Sequence, residues 1–135
     1  MLAVRNRLAA RHLRLVPLLA VTAVILYAGL RPEPVPQAFD QQDKLHHMLG
    51  FAAYAFALNL AFPRWRAVYG LLMGLALALL IELAQGLQPH RDASLGDMAA
   101  NTVGVLLGWV CWLWMRGGLQ RLYPALLSHD RQDPA

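Results

Sequence analysis

Long apolar blocks alternate with short polar breaks along the whole chain. Leu15 to Leu30 is sixteen residues without a charge, flanked by Arg14 and Arg31. That is slightly short for a membrane span, which needs about 20 apolar residues, but both arginines can snorkel to the interface. RPEPVPQAFDQQ follows, with three prolines in five residues, and stops the helix in an extended connection. A second block runs from Leu45 to Phe62 and is closed by Pro63; PRWRA leads into a third, Ala67 to Leu87, which ends before Pro89. After the loop QPHRDASLG, the fourth block covers Met98 to Met115. Trp109, Trp112 and Trp114 crowd its last turns, the pattern of an interfacial aromatic belt.

The blocks predict an all-α integral membrane bundle of four transmembrane helices over residues 15–116. A basic segment (1–14) precedes it and a polar tail (117–135) follows. Within the tail, LQRLYPALL is apolar enough to lie on the membrane surface. RNRLAARHLR would also serve as the basic start of a signal peptide. The apolar stretch is long for that role, and the small-x-small option at Val21 to Ala23 falls in its middle, so an uncleaved helix is predicted.

Composition supports the same class. Of 135 residues, 58% are hydrophobic and 15% charged, against about 25% charged in soluble domains. A soluble chain of this size lacks the interior to hide so much apolar surface. The net charge of +4 raises nucleic acid, but the basic residues border apolar blocks and form no stripe interleaved with aromatics. Cys111, the single cysteine, lies between Val110 and Trp112 and makes neither an intrachain disulfide nor a thiolate metal site.

Charge also orients the chain. Arg5, Arg7, Arg11, Arg14, Arg64, Arg66, Arg116, Arg121 and Arg131 fall on one side of the spans; only Arg31, Lys44 and Arg91 fall on the other, with five acids. The positive-inside rule places both termini in the cytoplasm. The polar connections beside Asp43 and Asp97 then face outward.

With that topology three helices bring polar residues to one depth. At 1.5 Å per residue, His47 lies about 6 Å below Asp43, Asn101 about 6 Å below Asp97, and Glu82 roughly 24 Å above Arg66 in a core of about 30 Å. Helical spacing also gives each residue a direction. The stripes are Asp43, His47, Gly50, Tyr54 and Ala57; Gly70, Gly74, Ala78, Glu82 and Gln85; and Asp97, Asn101, Gly104 and Gly108. Each is polar outside and small deeper in, which lets backbones approach in lipid or lets copies of the chain associate. Glu82 facing lipid would cost several kcal/mol, so it is placed toward protein or water.

Duller roles compete with functional ones. Ser94 and Asp97 form S-x-x-D, a capping box. Asp43 and Lys44 suit a plain helix start, Asn101 suits a bond between spans, and His46 is assigned to the interface. Glu82 is hardest to explain by packing, because intramembrane acids usually mark sites or pathways. A carboxyl between apolar burial and nearby cations suits a general acid or base, and equally a structural ion pair.

D-K-x-x-H at Asp43, Lys44 and His47, followed by Phe51, resembles the first signature of the VanZ-like membrane proteins. E-x-x-Q at Glu82 and Gln85 resembles the second. R-x-x-S-x-x-D-x-x-x-N-x-x-G at Arg91, Ser94, Asp97, Asn101 and Gly104 resembles the third. The three occur in family order over roughly half the chain. The resemblance implies that the outer polar cluster is a feature the family shares. The family's namesake is associated with low-level resistance to teicoplanin, a glycopeptide; the resemblance supplies no mechanism and transfers no resistance to this chain.

Three functions fit these residues. The first is a site at the outer leaflet of the bacterial cytoplasmic membrane that binds or modifies an anionic, lipid-linked envelope component, such as a cell-wall precursor. Lys44 and Arg91 would hold the head group. Glu82 and His47 would act as acid and base, Asp97 would orient Arg91, and Asp43, Gln85 and Asn101 would complete the binding surface. The second is a non-enzymatic bundle that moves lipid or steadies an envelope complex. The third, a metal site of Asp43, His47, Glu82, His90 and Asp97, lacks H-x-x-x-H spacing and has Lys44 and Arg91 to repel a cation. The reading therefore takes no metal and no cofactor.

Overall fold

A computed structural model describes residues 2–31, 36–88 and 93–122 of the chain. Four helices follow one another: α1 (Leu2–Leu30), α2 (Gln42–Ala61), α3 (Ala67–Gly86) and α4 (Leu95–Leu122). No strand occurs among the described residues. Three segments, His12–Leu30, Ala67–Gly86 and Leu95–Gly118, are long and apolar enough to cross a membrane.

The helices outrun the apolar blocks. α1 begins at Leu2 rather than Leu15, because RNRLAARHLR is rich in Ala, Leu and Arg, which favour helix. Pro17 sits inside it without ending it. α4 continues past Met115 to Leu122, through Gly117 and Gly118. The start of α2 moves back to Gln42. Gln41 holds a left-handed backbone (φ 65°), and the Gln42 side chain accepts the Ala38 N–H at 2.6 Å.

Neighbouring helices alternate in direction. Gly50 of α2 meets Ile25 of α1, and Asn59 near the end of α2 meets Gly70 near the start of α3. Trp109 of α4 donates through Nε1 to the Ala67 carbonyl at the start of α3, at 2.8 Å, and higher up Gly74 meets Val105. α2 and α4 run parallel, with Met48 against Gly104, Ala52 against Gly108, and Phe56 edge-on to Trp112 at 6.2 Å. One end of the bundle therefore gathers the C-termini of α1 and α3 and the N-termini of α2 and α4.

α2 is the central helix. It buries Phe51, Tyr54, Ala55, Ala57, Leu58, Asn59 and Ala61, more than one stripe, because it packs on all three neighbours. The core adds Ile25, Ala78, Ile81 and Val105. The outward faces stay apolar: Leu19, Val24, Tyr27, Leu80 and Val110 are all more than half exposed. That distribution suits lipid as solvent. Cys111 is exposed on α4.

The tryptophans do not form a simple belt. Of the three on α4, Trp112 is buried, Trp109 is tied to α3, and Trp114 stands exposed. They fall in the body of a longer helix, where two of them serve packing.

Candidate functional site

The polar end is built from α3 outward. Glu82, Gln85 and Gln88 stand three residues apart, so they form one face at its last turns. Each reaches a helix terminus. Gln85 donates through Nε2 to the Gly29 carbonyl at 3.1 Å, and Gln88 to the Leu30 carbonyl at 3.0 Å. These are terminal carbonyls of α1, which have no partner within their own helix. Glu82 turns to α4, where its Oε1 accepts the Ser94 N–H at 2.6 Å. The carboxylate thus sits at the positive end of the α4 dipole, while amide donors sit at the negative end of α1.

This changes the chemistry of S-x-x-D. In a complete capping box the first residue's hydroxyl caps the helix and the fourth residue's carboxylate returns to the first residue's N–H. Here Ser94 Oγ does accept the Asp97 N–H, at 3.3 Å. Its own N–H, however, is already taken by Glu82. Asp97 is released from capping, and its Oδ1 is buried without a hydrogen-bond partner.

One turn below Asp97, Asn101 is fully buried. Its Oδ1 lies 2.9 Å from Nδ1 of His47, which links α4 to α2. With Oδ1 as acceptor, Nδ1 carries the proton and Nε2 is left as the second ring nitrogen for other contacts. His47 is half-buried and faces this junction, whereas His46 is exposed. Nearby, the stem of Lys44 crosses Gly96: a Cβ there would stand 2.7 Å from Lys44 Cε. Lys44 Nζ is 3.7 Å from Asp43, and both side chains are about a third exposed.

The sequence-derived residues therefore separate into groups. Lys44, His47, Glu82, Asp97 and Asn101 share the junction of α2, α3 and α4. Gln85 faces α1 and serves its terminus. His47 and Glu82 bond to Asn101 and Ser94 respectively, with no hydrogen bond or ion pair between the two. Arg91 and His90 lie in segment 89–92, outside the described residues. Among the described residues no group of His, Cys, Asp or Glu could hold a metal ion.

Two residues escaped the sequence reading. Gln88 continues the three-residue spacing of Glu82 and Gln85, and that spacing was the available signal. Asn59 is buried at the other end of α2 and donates to its own Ala55 carbonyl at 2.7 Å, so it needs nothing from a ligand. An open apolar groove of about 360 Å³ lies beyond it, lined by Trp65, Tyr69, Leu72 and Met73. It offers no charged side chain to orient a ligand.

A family model described as VanZ/LLP1 matches residues 3–116, from the first turn of α1 to Arg116 of α4. The chain belongs to the VanZ/LLP1 family. No curated protein and no solved structure matches it. With three helices long and apolar enough to span, this VanZ-family chain is a multi-pass membrane protein. The described residues of its three signature segments, read from the sequence, meet at the one end where α4 makes polar bonds to α2 and α3.

Proposed function

We propose that this VanZ-family protein holds the phosphate-bearing head group of a lipid-linked envelope component at the outer leaflet of the bacterial cytoplasmic membrane. In this reading α2 is the fourth span, about 30 Å long at 1.5 Å per residue. Its polar first turns face protein, and both termini are cytoplasmic. One observation carries the reading. Glu82 Oε2, Asp97 Oδ1 and Asn101 Nδ2 are buried at one junction without partners, although other side chains there are bonded. Lys44 supplies a cation beside them, and Arg91, three residues before Ser94 in the sequence, would be a second. Leu87 and Leu95, 87% and 90% exposed, flank the junction and keep it in an apolar setting where a lipid tail can stay.

Within this reading Glu82 has a double role. Oε1 secures α4, and Oε2 faces the bound group as acid or base, with His47 Nε2 as the second proton carrier. Native mass spectrometry of the purified protein tests the binding. An anionic lipid or polyprenyl phosphate should co-purify with wild type, be lost in Arg91→Ala and persist in Glu82→Gln. No adduct in any variant would remove the proposal.

A second reading is favoured by the termini that α3 serves. Glu82, Gln85 and Gln88 each satisfy a helix end, which a purely structural bundle, moving lipid or supporting a complex, would also need. It predicts that Glu82→Gln and Gln85→Leu lower folding yield and that no ligand responds. Glycines 70, 74, 104 and 108 are buried against neighbouring helices of the same chain. An assembly of copies would therefore form through other faces.

A further inference from the structure

We infer that the bound head group presents hydrogen-bond donors, hydroxyl or ammonium, beyond its phosphate; this rests on the head-group reading above. Counting the unpartnered atoms decides it. At the junction Glu82 Oε2 and Asp97 Oδ1 are buried acceptors with no partner, and Asn101 Nδ2 is the one such donor among the described side chains; Gln88 Oε1, also unpartnered, belongs to the α1 terminus. Glu82 is 4% exposed and Asn101 0%, so these atoms belong to the bundle interior. A buried polar atom left unpaired is destabilising, and a ligand that pairs it gains the difference.

A bare phosphate monoester meets only half of this demand. Its oxygens can accept from Lys44 and Asn101 Nδ2. They bring little to the two carboxylate acceptors, and they place negative charge beside Glu82 and Asp97. A hydroxyl or ammonium attached past the phosphate donates to the carboxylate oxygens while the phosphate stays on the lysine. Acceptors outnumber donors because Glu82 displaces Asp97 from the Ser94 N–H: one capping site holds two carboxyl groups, and one of them is spare.

Four lipids of identical acyl chains separate the possibilities: phosphatidic acid, phosphatidylglycerol, phosphatidylethanolamine and phosphatidylcholine. The first carries only phosphate, and the last a cation without N–H. In native mass spectrometry of the full chain with an equimolar mixture, phosphatidylglycerol or phosphatidylethanolamine adducts should exceed both others by about tenfold or more. Which of the two leads tells hydroxyl from ammonium. Glu82→Gln keeps an oxygen for Ser94 and turns Oε2 into a donor. It should shrink the preference and raise phosphatidic acid, and Asp97→Asn should do so independently.

Equal binding of all four lipids, lost in Lys44→Ala, would preserve the head-group site and overturn the donor requirement. Phosphatidic acid binding best in wild type would overturn it too, as would a preference untouched by both substitutions. A preference that emerges only in Arg91→Ala would show that the chain supplies its own donor, and would also overturn it. No adduct of any lipid would defeat the head-group reading itself.

Discussion

The α2–α4 seam and the polar end use the same two helices in opposite ways. Along the seam Gly104 and Gly108 let α4 touch the backbone of α2 at Met48 and Ala52, and a Cβ on either glycine would collide with a carbonyl oxygen. Nothing polar there is left over. Nearly three turns away, side chains from three helices meet around Ser94, and three buried atoms there are unpaired. In lipid, where apolar contact gives no hydrophobic drive, close backbone approach holds helices together. A seam made that way leaves the far end free to carry polar atoms that packing does not need.

Substitutions can break this contrast in order of expected size. Gly104→Val forces a branched side chain into the Met48 carbonyl and should cost about 3 kcal/mol or more. Its readout is loss of folded monomer in detergent. Glu82→Leu removes the acceptor for the Ser94 N–H and should cost about 2 kcal/mol, whereas Glu82→Gln should recover most of that in the same unfolding assay. Gln85→Leu removes the bond from its amide to the Gly29 carbonyl, for about 1 kcal/mol. Ser94→Ala loses the cap on Asp97, for about 1 kcal/mol. Gln88→Ala breaks an exposed bond and should register about 0.5 kcal/mol. If the Glu82 and Gly104 losses came out equal, the division between seam and site would fail.

Much of this geometry can be read from spacing alone. Gly70, Gly74, Ala78, Glu82 and Gln85 recur at three and four, and all five are buried on α3, joined by Ile81. Counting residues from the membrane surface put His47 and Asn101 level, and their side chains bond at 2.9 Å. α2 was harder to read. A central helix has no single buried face, so the stripe of Asp43, His47, Gly50, Tyr54 and Ala57 leaves out Phe51, Ala55, Leu58 and Asn59.

Partner choice was not legible at all. S-x-x-D looks like a self-contained box; only the approach of α3 shows that Glu82 takes the Ser94 N–H. Gln85 read as part of a binding surface, yet its amide serves α1, because which terminus it reaches depends on how α1 and α3 are staggered. Local sequence does not encode that stagger.

The most direct test of the account is Lys44→Ala, measured for lipid retention and for unfolding on the same sample. Lys44 is partly exposed and pairs weakly with its neighbour Asp43, so its removal should change stability by about 0–1 kcal/mol. The account predicts loss of the bound phospholipid with unfolding essentially unchanged. Retention of the lipid, or its loss together with the fold, would contradict it and leave the polar end as a structural junction.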